Sequence, residues 1–236
     1  MASRAEAQDA VDAGRVTVAG APALKAARLV APDEPVLVLG PPRRFVSRGG
    51  DKLDAALDGF GLDVAGSRAL DAGASTGGFT DSLLQRGARQ VVAVDVGHGQ
   101  LHPKLRDDDR VVVMERTHVR TLTPVAIGGP VDLVVADLSF ISLRTVAAAL
   151  LGVCRPGADL VLLVKPQFEA GRAEAARARG VIRDDAVRAR VRDEVGDVLV
   201  DGGATIMGWM ESPLRGADGN VEYFVHALAP PGGHAP

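Results

Sequence analysis

One cysteine, Cys154, stands in the 236 residues, so no internal disulfide is available and a reducing compartment is the expected setting. Aromatic residues make up only 3% of the chain, which leaves Val, Leu and Ala to fill a core. No apolar run approaches the roughly 18 residues of a membrane span; the densest, Leu160 to Val164, is strand-sized. No basic, apolar, cleavable leader opens the sequence, and a cytoplasmic protein with no membrane partner is expected. Cys and His clusters of ligand spacing are missing as well, so no metal is expected. The formal net charge is only −3, too little to mark the whole chain as a polyanion or polycation. It is unevenly spread: up to Lys52 there are eight Lys and Arg against six Asp and Glu, and the acidic excess lies beyond. Any surface facing RNA is therefore expected on the N-terminal side, although solvated surface charge would give the same asymmetry.

What is present suits one α/β domain with a small appendage: 47% hydrophobic and 24% charged residues, close to a globular average. Residues 1–40 read as a short helix through Ala5, Ala7, Ala10 and Val11, then a small strand bracketed by Gly14 and Gly20. Residues 41–50 form a linker of Pro, Arg and Gly, with Pro41 and Pro42 stiffening it and Gly49 and Gly50 turning it before Asp51 caps a helix. Leu53, Ala56, Leu57 and Phe60 give that helix one apolar face. From Arg68 short apolar runs alternate with helical ones, which predicts βαβ units and a parallel sheet. The runs ATIMGWME and VEYFVHAL, joined by SPLRGADGN, predict a closing antiparallel hairpin at a sheet edge. The main domain is expected over 51–230, with a disordered tail at 231–236.

The strongest local signal is DAGASTGGFT, Asp71 to Thr80, between a strand and a helix. Gly73, Gly77 and Gly78 let the backbone approach a ligand, and the helix start behind them, at Phe79, offers unpaired N–H donors. Asp95 ends the next strand about 20 residues on, where a carboxylate can accept both hydroxyls of a ribose. The dinucleotide fingerprint needs glycine where this chain has Ser75, which weakens a nicotinamide reading. A phosphate-free, cationic nucleoside such as S-adenosyl-L-methionine gives Asp71 a reason to stand at the strand end. Glu115, ending the third strand, is a candidate for the adenine or ribose. Asp137 and Lys165 each follow an apolar strand, and ligands of open α/β sheets lie at such strand ends. With Lys52 and Glu222 they are the candidate catalytic groups.

Several ordered blocks, SRAEAQDAVDAGRVTVAG, FVSRGGDKL, LDAGASTGGFTDSLLQRGA, VDVGHGQL, DLSFISL, VKPQFEAGR, GVIRD and SPLRGADGNVE, closely resemble the FtsJ-type 2′-O-methyltransferases, and within them the TlyA family, sometimes labelled haemolysins. The resemblance implies a Rossmann-like methyltransferase fold, a mostly parallel seven-stranded sheet ending in an antiparallel hairpin. It implies S-adenosyl-L-methionine as cofactor, ribosomal RNA in its subunits as partner, and cytidine 2′-hydroxyls of small- and large-subunit rRNA as targets. The family's catalytic Lys-Asp-Lys-Glu set falls on Lys52, Asp137, Lys165 and Glu222. Residues 1–40 match part of an α-L RNA-binding domain, without the helix that usually comes first, and Arg4, Arg15, Lys25, Arg43 and Arg44 are its candidate phosphate contacts. His118 stands where the family pattern leads one to expect Asn, and His98 fits a family block with either a loop-bonding or a catalytic role. In this reading Lys165 is the base, Asp137 orients it, and Lys52 and Glu222 place the ribose. Competing readings are a non-catalytic RNA-binding or ribosome-assembly factor, a haemolysin-like protein and a small-molecule O-methyltransferase. Oligomeric state is left open.

Overall fold

In the computed structural model, which describes residues 4–40, 43–216 and 218–232, apolar alternation with period two builds the centre of the molecule. Seven strands form one sheet: β4 (Arg68–Ala72), β5 (Gln90–Val94), β6 (Val111–Met114), β7 (Val131–Ala136), β8 (Cys154–Val164), β9 (Thr205–Glu211) and β10 (Tyr223–Leu228). Three strands precede them, β1 (Val16–Val18), β2 (Ala21–Pro22) and β3 (Val36–Val38). The helices are α1 (Arg4–Asp12), α2 (Arg48–Phe60), α3 (Gly78–Gln85), α4 (Pro103–Arg106), α5 (Ala147–Gly152), α6 (Pro166–Glu169), α7 (Arg172–Arg177) and α8 (Asp185–Asp201). The seven-stranded sheet runs β6-β5-β4-β7-β8-β10-β9, parallel from β6 to β8, with β10 antiparallel to both β8 and β9. The expected closing hairpin is there.

Of the parallel strands, β4, β5, β7 and β8 are buried on both faces, while the edge strand β6 stays partly exposed. Leu70, Val92, Val134, Leu160 and Val225 face one cluster, packed under Leu150 of α5 and Val191, Val195 and Leu199 of α8. Ala69, Val91, Leu133, Val161 and Phe224 face the other, beneath Leu53 and Leu57 of α2 and Leu83 of α3. The chain moves outward from β4 through β5 to β6 and then returns to β7 on the other side of β4. At that reversal the loops after β4 and β7 part in opposite directions, leaving a crevice at the strand ends where open α/β sheets take ligands.

The first forty residues make a separate three-stranded antiparallel sheet, β2-β1-β3, on which α1 packs through Ala10 and Val11. Gly14 and Gly20 flank β1 in the left-handed conformation, as their bracketing position suggested. Strand β3, at LVLG, escaped the sequence reading because it is three residues long and exposed throughout. One cap differs from expectation: α2 begins at Arg48 with Ser47 as its N-cap, so Asp51 lies in its first turn and Gly49 and Gly50 lie inside the helix. A side chain at Gly50 would collide with the ring of Phe45 packed against it, so this turn of the helix takes glycine. Pro41, Pro42 and the last four residues of the expected tail fall outside the described residues.

Candidate functional site

The loop after β4 sits in the crevice. Gly73 has φ 84°, and a Cβ there would come within 2.6 Å of the Asp137 carbonyl oxygen, so only glycine lets these two loops meet. Ser75 takes φ 48° and donates its N–H to Asp95 Oδ2 at 2.8 Å, while Gly97 N–H donates to Asp95 Oδ1 at 2.7 Å. Asp95 thus ties the two loops together and still faces a cavity of about 690 Å³. Gly73, Ser75, Gln100, His118, Arg120, Leu138 and Phe140 also line it. His118 Nδ1 accepts from Arg120 N–H at 3.1 Å, fixing the turn on that wall.

Two of the expected cofactor residues are occupied differently. Asp71 is fully buried, and its Oδ2 accepts from the Thr80 N–H at 2.9 Å and the Thr80 hydroxyl at 2.6 Å, so it fastens β4 to α3. Burial pushes its carboxyl up to about 7, against the pull of the Thr80 bonds and helped by Asp137 and Asp95. Glu115 does not line the cavity; it accepts from the Arg106 guanidinium, from Gly99 N–H at 2.8 Å, and pairs with His98 at 2.7 Å. The Arg106 bond holds Glu115 below the usual carboxylate range, and the whole set staples the loop after β5. Gly77, Gly78 and Phe79 shape the start of α3, with Gly78 and Phe79 on a second, smaller cavity and Phe79 packed near Phe224.

That second cavity, about 180 Å³, shares Gly73, Ser75, Asp137 and Ser139 with the first, and Lys165 opens onto it. Lys165 Nζ lies 2.5 Å from Asp137 Oδ1 and 3.0 Å from the Ser139 hydroxyl. Ser47 and Gly49, at the start of α2, form another part of its wall, just ahead of Lys52. Lys52 Nζ meets Glu222 Oε2 at 2.5 Å, and both side chains are nearly closed to solvent. The four expected catalytic groups therefore form two ion pairs, one lining the small cavity and one buried beside α2.

The N-terminal cations are mixed. Lys25 is exposed, Arg15 and Arg43 are half-buried, and the side chain of Arg4 lies outside the described residues. Arg44 is exposed but engaged: it pairs with Asp54 at 2.5 Å and lies 4.6 Å over the Phe45 ring. Sequence reasoning passed over two residues. Phe140 is 93% exposed at the cavity mouth, with φ 64°, and tilts against Phe168 at 5.2 Å. A large aromatic just after DLS in an aromatic-poor chain was the available signal. Glu169 is buried in a net with the Ser142 hydroxyl, Leu143 N–H at 2.7 Å and Arg144, which binds the loop after β7 to α6. Burial raises its carboxyl above the usual range.

Residues 45–228 match the family model described as FtsJ-like methyltransferase. The chain is 53% identical over 94% of its length to the 16S/23S rRNA (cytidine-2′-O)-methyltransferase TlyA of Mycobacterium tuberculosis, covering 83% of that protein. It is 38% identical to Hemolysin A of Brachyspira hyodysenteriae over 96% of this chain and 94% of that one. A solved structure of a Streptococcus thermophilus hemolysin candidate superposes with a TM-score of 0.82 at 39% identity, over 98% of this chain and 84% of the other.

Proposed function

This chain belongs to the FtsJ-like methyltransferase family, and we propose that it methylates the ribose 2′-hydroxyl of cytidine in ribosomal RNA. S-adenosyl-L-methionine supplies the electrophilic methyl group. The large cavity has the size of a nucleoside-cofactor site, and its donor set fits: Asp95 for ribose hydroxyls, and the close backbone approach at Gly73 and Ser75. Gly77 and Gly78 turn the chain into α3, Phe79 and Asp71 hold that helix start in place, and Glu115 acts at one remove by bracing the loop that carries Gln100.

The observation that carries the reading is Lys165 paired with Asp137 on a small cavity that shares a wall with the large one. A ribose hydroxyl is a weak nucleophile, so a site must loosen its proton and align its oxygen on the methyl group. Lys165 Nζ is the group placed to take that proton, and S-adenosyl-L-methionine would give up its methyl group to the ribose oxygen and leave as the neutral thioether. Asp137 and Ser139 fix the direction of Nζ. Lys52 and Glu222 set the position of α2, whose first turn borders the place for the ribose. Phe140 presents an aromatic face to the nucleobase, which an unpaired nucleotide can stack upon. Arg15, Lys25, Arg43 and Arg44, with Arg4, contribute phosphate contacts from the N-terminal side, and Arg44 must share its charge with Asp54. Although a relative is named hemolysin, no helix among the described residues is long and apolar enough to cross a membrane.

The test is incubation with ribosomal subunits and labelled S-adenosyl-L-methionine, followed by nuclease digestion and nucleoside mass analysis. 2′-O-methylcytidine is expected; label on a base, or none in RNA, would sink the reading.

A further inference from the structure

Several arginines of the main domain are neutralised by carboxylates: Arg86 by Asp54 and Asp58, Arg110 by Asp108, Arg144 by Glu194, Arg155 by Asp132, Arg190 by Glu174 and Glu194. Arg177, Arg179 and Arg183 differ. All three are exposed, none has a carboxylate partner among the described residues, and they border one open cavity of about 520 Å³. The two carboxylates on that cavity are engaged elsewhere, Glu174 with Arg190 at 2.5 Å and Asp184 as acceptor from Ala186 N–H at 2.9 Å. Three like charges around one opening repel one another, and an anion relieves that repulsion.

The segment is also fixed relative to the site. Asn220, fully buried, donates from Nδ2 to the Gly180 carbonyl at 2.8 Å and accepts from Ile182 N–H at 2.9 Å, two residues before Glu222. Helix α7, about 9 Å long at the usual rise per residue, leads from a second open cavity to Arg177. That cavity is lined by Phe140, Phe168, Gly171 and Ala175, and it shares Phe140 and Arg120 with the large cavity. Helix α7 thus connects the cavity that carries Phe140 with the one bordered by the arginines. The planar fork of a guanidinium matches phosphate oxygens and reads no base.

We propose that Arg177, Arg179 and Arg183 form an RNA-backbone clamp that grips phosphates flanking the target nucleotide, a second RNA surface besides the N-terminal one. This rests on the reading of the site as an RNA methyltransferase. The sequence average concealed it, because the patch lies in the part of the chain with net negative charge.

The test uses the full chain, ribosomal subunits, and two variants: Arg177→Ala/Arg179→Ala/Arg183→Ala and the matching triple Lys. The Ala triple is expected to raise the KM for subunits at least about tenfold and to flatten the slope of log affinity against log salt by about two to three. Its kcat and its calorimetric affinity for S-adenosyl-L-methionine stay at the parent's values, and the Lys triple keeps the parent's slope. An Ala triple with the parent's KM and slope overturns the clamp, as does a Lys triple that falls with it. Should the Ala triple melt early, the single Arg179→Glu variant at an exposed position carries the same test. A parent that binds subunits without methylating them overturns the reading of the site, while its salt slope still judges the clamp.

Discussion

The two sheets of this protein are built on different terms. The three-stranded N-terminal sheet has five buried apolar residues, Ala10, Val11, Val16, Val18 and Ala23, and its strand β3 leaves Val36, Leu37 and Val38 about half exposed. In the seven-stranded sheet, every residue of β8 from Leu160 to Val164 is at most 1% exposed. A unit of some forty residues with so small a core is marginal alone, whereas the larger sheet carries its polar groups on a rigid base. Under the proposed function the difference becomes a division of labour, with the chemistry on the well-buried sheet and the weakly cored one adding RNA contacts.

The largest effect that would sharpen this contrast is on the chemical step. Lys165→Ala or Asp137→Ala should slow single-turnover methylation by about 10²- to 10⁴-fold, with cofactor affinity nearly intact. The double variant should be hardly slower than Lys165→Ala, because residues acting as one unit do not add. Neutralising Arg4, Arg15, Lys25, Arg43 and Arg44 should instead lower RNA affinity and its salt dependence, with the rate at saturating subunits preserved. A comparable loss of that saturated rate would break the division.

Stability should divide the same way. Glu222→Gln strands the Lys52 ammonium in a buried site, a change that costs about 3–5 kcal/mol and is read from denaturant unfolding of the main transition. Val18→Ala, in the small core, should leave the midpoint of that transition in place. A smaller effect is expected at Asp95→Ala, which removes the carboxylate facing the large cavity and should weaken S-adenosyl-L-methionine by roughly 10- to 100-fold in calorimetry. An unchanged affinity would move the cofactor elsewhere.

A pH dependence confined to the larger sheet is expected as well. Asp71 has its folded pKa raised from 3.8 to about 7. Its contribution is therefore fully present below about pH 4 and is lost as pH rises through about 7. The parent should lose stability relative to Asp71→Asn between pH 5 and 8, measured as the difference between their melting temperatures. Parallel curves would show that Asp71 does not titrate in this range.

Much of this was readable from sequence where burial dictates pattern. The continuous apolar runs of β7 and β8 announced a sheet covered on both faces, and Asp95, Asp137 and Lys165 stood at strand ends where such a sheet opens. What stayed hidden depends on contacts between distant segments. Nothing local says that Lys52 pairs with Glu222, since that pairing requires β10 to lie beside β8, whereas the meeting of Lys165 with Asp137 matches the expectation that one orients the other. Glu115 looked like a ligand because strand-end carboxylates often are; only the fold brings Arg106 and His98 to it. The helix starts at Arg48, ahead of the Asp51 that helix signals favour, and Phe45 packs on Gly50 in its first turn.

Strand β10 lies between β8 and β9, although it follows both in the chain. As the polypeptide is synthesised, β9 emerges with no neighbour to join, because its sole ladder is with β10. Glu222 arrives immediately ahead of that last strand, and until then Lys52 lacks the carboxylate that makes its burial tolerable. Lys165 and Asp137 sit on strands made long before, so half of the site can form early and wait. A chain that has not placed its final strand thus has an open sheet edge and lacks the Lys52–Glu222 pair, so under the proposed function its site is complete only when the last strand is in place.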